Sequence, residues 1–164
     1  MDMVKSALEY SSMGFCILPV SPNDKKPLLT SWTRFTKEKP TEEMITNWFT
    51  ALKPVGVGMV TGSISGVIVV DIDTKSGLDY MDITNKYPTE IISRTPSGGF
   101  HLFYRHPGFE VRNRVDVIKG VDVRGDGGFI VLPPTSRNGE FYSWISFGNI
   151  GEYPTELLGD KESH

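Results

Sequence analysis

Cysteine is almost missing from this chain of 164 residues. A single thiol, Cys16, excludes an internal disulfide framework and a cysteine-ligated zinc cluster. It lies in the apolar run Gly14-Phe15-Cys16-Ile17-Leu18, surroundings that suit a buried structural thiol rather than a nucleophile. Histidine is scarce too, with three in all and His164 terminal, so a mixed zinc module is excluded as well. No apolar segment approaches the ~20 residues that cross a bilayer, and the N-terminus lacks the charged-then-apolar layout of a signal peptide. The expected compartment is therefore intracellular, the cytoplasm. Internal repeats and low-complexity segments are also lacking.

A basic excess is missing as well: 17 Lys and Arg stand against 20 Asp and Glu, a net charge of -3. The whole-chain charge does not mark a nucleic-acid binder. Its distribution says more. Arg105, Arg112, Arg114, Lys119 and Arg124, with His101 and His106, share one stretch whose acids are Glu110, Asp116 and Asp122. That surplus either faces phosphates or forms a solvated face. With 38% hydrophobic and 23% charged residues, the chain reads as one ordinary globular domain over 1–154 and a flexible tail over 155–164.

Apolar spacing predicts a helix from Met3 to Ser12 and a strand from Phe15 to Val20. Ser21 to Phe35, rich in Pro and Lys, reads as a loop, and Thr41 caps a helix running to Leu52. Strands are expected at Gly56 to Thr61 and Val67 to Asp73, joined as a hairpin by Gly62-Ser63-Ile64-Ser65-Gly66. A helix over Gly77 to Lys86 follows. Glu90 to Thr95 and Phe100 to Tyr104 form a second hairpin around Pro96-Ser97-Gly98-Gly99. Gly120 to Arg124 and Gly128 to Leu132 repeat that pattern around Gly125-Asp126-Gly127, and Glu140 to Ile145 adds a strand. Hairpins mixed with a few helices indicate an α+β fold with a mixed, largely antiparallel sheet flanked by helices.

Three segments carry chemistry. In Val67-Ile68-Val69-Val70-Asp71-Ile72-Asp73, a β-branched run ends in two carboxylates that share one face of a strand. Two carboxylates ~4 Å apart repel by roughly 4 kcal/mol at an effective dielectric near 20, which favours a cation between them. Oxygen-only ligation suits Mg²⁺ or Mn²⁺. The bland reading is a strand that merely ends in polar residues. In Ser97-Gly98-Gly99-Phe100-His101, a hydroxyl and glycine amides precede an imidazole, a layout suited to a triphosphate. In Val121-Asp122-Val123-Arg124, Asp122 can complete the metal ligands and Arg124 can grip phosphate bidentately. Trp32, Phe100, Tyr104 and Phe129 are either base-stacking platforms or core.

Together these segments resemble the primase-polymerase (prim-pol) domains of the archaeo-eukaryotic primase superfamily, as in phage and plasmid replication proteins. The likeness spans Leu8 to Pro134 and includes the run Asp126-Gly127-Gly128-Phe129-Ile130-Val131-Leu132-Pro133-Pro134 and Lys26-Pro27 followed by Trp32. It implies an RRM-like catalytic core that acts as a DNA-templated primase or polymerase in replication of a phage or mobile element in a prokaryotic host. Asp71, Asp73 and Asp122 would hold Mg²⁺ or Mn²⁺ for two-metal transfer, and His101 would contact the incoming nucleotide. Ser97, Gly98, Gly99, Arg124 and Lys26 join it as nucleotide contacts. The implied partners are a single-stranded or primed DNA template, dNTP or NTP, and a helicase or helical accessory domain. Two alternatives stay open. Asp71-Ile72-Asp73-Thr74 is also similar to the motif of haloacid-dehalogenase-like phosphatases, where Asp71 would be a nucleophile. The chain could instead be a non-catalytic nucleotide- or single-strand-binding module. A rolling-circle nickase lacks support because His101 and His106 do not form His-x-His.

Overall fold

The structure is a computed structural model that describes residues 2–156. Its elements are α1 (Met3–Ser12), β1 (Cys16–Val20), α2 (Glu42–Ala51), β2 (Gly56–Val60), β3 (Val67–Ile72), α3 (Met81–Thr84), β4 (Ile91–Arg94) and β5 (Phe100–Arg105). There follow β6 (Arg114–Ile118), β7 (Val121–Arg124), β8 (Phe129–Leu132), β9 (Ser136–Arg137), β10 (Glu140–Phe141), β11 (Ser143–Phe147) and β12 (Gly151–Glu152). Asp2 caps α1 by accepting the Val4 and Lys5 amides, and Thr41 caps α2 through the Met44 amide.

Two sheets face each other. The small one has order β1-β2-β8, and the large one has order β11-β4-β5-β3-β7-β6 with β12 added beside β5. All pairings are antiparallel except β12 with β5, which bears out the α+β, largely antiparallel fold. β3 sits in the middle, and its alternation serves two cores. Val67 and Val69 join α1, α2 and the small sheet around Ile17, Phe49 and Met59, while Ile68, Val70 and Ile72 pack on the opposite face with Leu102, Val121 and Val123. Burying each such aliphatic contributes about 1.5–3 kcal/mol relative to exposure. The strand's register is strongly specified, because a one-residue slip would turn both sets over.

Several expected elements take another form. The turn at Gly62 closes, its amide donating to the Val67 carbonyl at 2.7 Å, but β2 and β3 enter different sheets instead of a hairpin. Ser65 explains the split: its hydroxyl donates to the Val60 carbonyl and accepts from the Cys16 amide, ending the small sheet with a side chain. The segment after Arg124 behaves alike, with β7 in the large sheet and β8 in the small one. Of the helix expected over 77–86, one turn forms as α3, because Gly77 adopts φ 70° and Asp79 restarts the chain by accepting the Met81 amide. β6, which pairs with β7, lies in the central basic stretch, where no element was expected. The strand expected at 140–145 breaks at Tyr142, whose amide donates to the Thr135 carbonyl. Apart from Thr155 and Glu156, the tail expected at 155–164 lies outside the described residues. No helix among the described residues is long and apolar enough to cross a membrane.

Asp126 ties the two sheets where the chain passes between them. Its carboxylate accepts the Ser63 and Val111 amides, each at 2.8 Å, and meets His106 Nε2 at 3.1 Å. Burial would raise its pKa, but the two amides and the imidazole outweigh that and hold it below the ordinary value. Asp126→Ala should therefore lower the unfolding free energy at neutral pH by about 2–4 kcal/mol in urea melts. A carboxyl with a depressed folded pKa contributes fully above the unfolded value of about 3.9, and that contribution disappears as pH falls through the folded one. Below pH ~4 the gap between parent and variant should narrow, and a gap independent of pH would refute this role.

Candidate active site

Asp71 stands opposite His101 of β5 on one side and Asp122 of β7 on the other. All three point to the face shared with the small sheet, and Arg124 lies there too, opposite Val69. One guanidinium nitrogen of Arg124 donates to Asp122 Oδ2 at 3.1 Å and to Asp71 Oδ2 at 3.4 Å, so two carboxylates converge on a single cation. His101 Nε2 approaches the other Asp71 oxygen at 3.4 Å. Burial alone would raise the Asp71 carboxyl, but His101 and then Arg124 overcome it and hold its pKa at about 2. Asp122 also accepts the Asp116 amide at 2.9 Å, which braces the β6–β7 turn against the site.

Asp73 departs from the expectation of a carboxylate paired with Asp71. It caps a 3₁₀ turn over Thr74–Ser76, its Oδ1 accepting the Lys75 amide at 2.9 Å and the Thr74 hydroxyl at 3.2 Å. Among the described residues no three His, Cys, Asp or Glu side chains close on one point. The convergent pair is Asp71 with Asp122, across strands, rather than Asp71 with Asp73 along one. This pair still fits a divalent cation, since Mg²⁺ commonly takes one or two carboxylates and completes its shell with water and substrate phosphate.

A cleft of about 520 Å³ opens above these residues. Lys26, Asp71, Asp73, Ser97, Gly99, His101, Asp122 and Arg124 line it, whereas Gly98 does not. The glycine amides are not bare, contrary to the expectation for the Ser97-Gly98-Gly99 turn. Gly98 N–H donates to the Thr95 carbonyl and Gly99 N–H to the Thr95 hydroxyl, both at 3.0 Å. Gly99 is required for another reason: a Cβ there would collide with the Ile72 carbonyl oxygen, so only glycine lets the turn close against the end of β3.

The small-sheet side brings residues that reading the sequence did not select. Lys25, at φ 62° with its N–H donating to the Ser21 carbonyl, lines the cleft beside Lys26, as do Arg137 and Tyr142. For Lys25 the available signal was a second lysine next to Lys26; for Arg137 it was Asn138-Gly139, both at positive φ, which closes the β9–β10 hairpin that presents it. Of the four aromatic candidates, Trp32 and Phe129 line the cleft with ring centroids 5.7 Å apart. Phe100 packs on Tyr80 in the opposite core, and fully buried Tyr104 donates its hydroxyl to the Tyr87 carbonyl. Of the central basic stretch, Arg105 pairs with Glu152 and Arg112 with Glu110, so the surplus does not form one free phosphate-facing surface.

A cross-strand carboxylate pair on an antiparallel sheet thus lies under a cleft walled by cations and aromatics, groups suited to a divalent cation and a phosphorylated ligand. Residues 7–156 match the model of the Prim-Pol family, described as the N-terminal domain of bifunctional DNA primase/polymerases, and the chain belongs to that family. It is thereby an enzyme of the nucleotidyltransferase kind, associated with DNA and nucleotide substrates. No curated protein is significantly similar to it.

Because one guanidinium occupies the point between Asp71 and Asp122, Arg124→Ala should destabilise the metal-free protein by about 1–2 kcal/mol. Mg²⁺ or Mn²⁺ alone should raise the melting temperature of this variant more than that of the parent. Adding Asp71→Asn and Asp122→Asn should abolish the gain, and equal metal shifts in all forms would show that the cation binds elsewhere.

Proposed function

We propose that this chain, through a prim-pol catalytic domain over 1–154, is a DNA-templated nucleotidyltransferase that primes, extends, or does both by two-metal phosphoryl transfer. The observation that carries the reading is that Asp71, Asp122, Arg124 and His101 of the large sheet share one cleft with Lys25, Lys26 and Arg137. In this reading Asp71 and Asp122 hold Mg²⁺ or Mn²⁺, and Asp73 joins them by releasing its cap on the Lys75 amide. The chemistry supplied by a bound divalent cation is activation of a 3′-hydroxyl and neutralisation of charge on the departing pyrophosphate.

The remaining work falls to side chains. Arg124, displaced from the carboxylates, offers its planar fork to the triphosphate. His101 donates from Nε2, Ser97 from its hydroxyl, and Lys25, Lys26 and Arg137 neutralise phosphate charge from the facing wall. Gly98 and Gly99 act by keeping the turn close to the end of β3. Trp32 and Phe129 supply a stacking surface for a base. No protein nucleophile takes part. A single-stranded or primed template, dNTP or NTP, a helicase or helical accessory domain, and a cytoplasmic setting in replication of a phage or mobile element belong to the same proposal.

Incubation with primed DNA, Mg²⁺ or Mn²⁺ and labelled dNTPs tests it. Asp71→Asn and Asp122→Asn should each cut extension about 10²-fold or more, and His101→Ala should act chiefly on the KM for nucleotide. Metal-dependent phosphate release from simple monoesters without extension would point to the phosphatase chemistry of an Asp71 nucleophile. Single-strand binding without either activity would leave a binding module.

A further inference from the structure

One row of side chains crosses the large sheet through directly paired positions: Asp122 on β7, Asp71 on β3, His101 on β5 and Ser93 on β4. The first three belong to the site. Ser93 is fully buried, does not line the cleft, and its Oγ has no hydrogen-bond partner. Opposite it, His101 Nδ1 is buried and equally unpartnered, while Nε2 of that ring faces Asp71. These are the two unpaired buried side-chain polar atoms among the described residues, and they belong to residues in direct register on one face.

Buried polar groups are nearly always satisfied, so two orphans side by side form a coincidence that needs a cause. Directly opposed Cβ atoms lie about 4.5–5.5 Å apart, and one water can bridge two polar groups at that separation that do not bond directly. A serine hydroxyl can donate to the unprotonated nitrogen of a neutral imidazole.

We infer that Ser93 is a positioning residue for His101: its hydroxyl holds Nδ1 through one bridging water, and so keeps the ring proton on Nε2, toward Asp71 and the cleft. The spatial order Ser93, His101, Asp71 matches that of a hydrolase triad, but the serine is on the side away from the cleft and reaches no substrate. Its effect is on ring orientation and tautomer, which decide whether the cleft meets an N–H donor or a bare acceptor. The inference rests on the reading of His101 as a nucleotide contact.

The test uses the full chain as parent, Ser93→Ala and Ser93→Thr, with ¹⁵N spectra of the imidazoles beside primer-extension kinetics. Removing the hydroxyl should move His101 Nδ1 toward the shift of an unbonded nitrogen and mix the tautomers, and Ser93→Thr should restore both. The KM for nucleotide should rise about fivefold in Ser93→Ala with kcat nearly unchanged, and recover in Ser93→Thr. An unchanged His101 spectrum in Ser93→Ala overturns the inference whatever the activity, and so does a changed spectrum with an unchanged KM. If the parent neither extends primers nor binds nucleotide while the spectra respond as expected, the pairing stands and the nucleotide reading of His101 falls instead.

Discussion

The register of β3 is the constraint on which the site depends. Val67 to Val70 are buried on both faces, and their alternation assigns each to one of two apolar clusters. Sliding the strand by one position would send Asp71 into the cluster of Ile68 and Val70 and strip it of both charged neighbours. The burial energy of four aliphatics therefore opposes any misplacement of one carboxylate. Once Asp71 is set, pairing on either side sets His101 and Asp122 opposite it, and the step of two along β7 sets Arg124 within reach of both acids.

Placing two carboxylates side by side is unfavourable unless something positive lies between them. In this structure that is one nitrogen of Arg124, with His101 on the outer edge of Asp71. His101 and Arg124 hold the Asp71 pKa at about 2, where burial would otherwise have raised the carboxyl. A side chain that offsets the repulsion from within the cleft can exchange places with an incoming cation, whereas a buried apolar filling could not. The fold tolerates the anionic pair because its supports lie elsewhere, in Asp126 between the sheets and in Tyr10, which donates to the Pro133 carbonyl and accepts from Trp144.

Much of this was legible in the residues because the signals were local. Alternation in 67–73, the Pro-Ser-Gly-Gly turn and the Asp-x-Arg step each depend on neighbours in the chain, and β3, the β4–β5 hairpin and β7 appear where those signals lie. The pairing of sheets was not legible, because a glycine turn looks the same whether its strands stay together or part. What separates β2 from β3 is a bond from Ser65 to the Val60 carbonyl, and nothing in Gly-Ser-Ile-Ser-Gly announces it. For Asp73 the limit is similar: period two along a strand puts it beside Asp71 only while the strand continues, and β3 ends at Ile72. That Lys25 and Arg137 share the cleft with Asp71, and that Ser93 lies opposite His101, is tertiary placement, settled only once the small sheet and β4 are laid against β3.

The charge around the cleft is close to balanced: Asp71, Asp73 and Asp122 line it together with Lys25, Lys26, Arg124 and Arg137. Such a cavity is a poor trap for a bare divalent cation, which meets the lysines and arginines, and for a bare triphosphate, which meets the carboxylates. On the proposed reading, a cation already paired with a triphosphate would suit both kinds of group, Asp71 and Asp122 holding the metal and Arg124 the phosphates. With the chain at a net charge of -3, little long-range attraction draws DNA toward it. On the proposed reading, capture of a nucleotide would be governed by local exchange at Asp71 and Asp122, and the convergence on Arg124 that offsets their repulsion would select the charge pattern of the ligand.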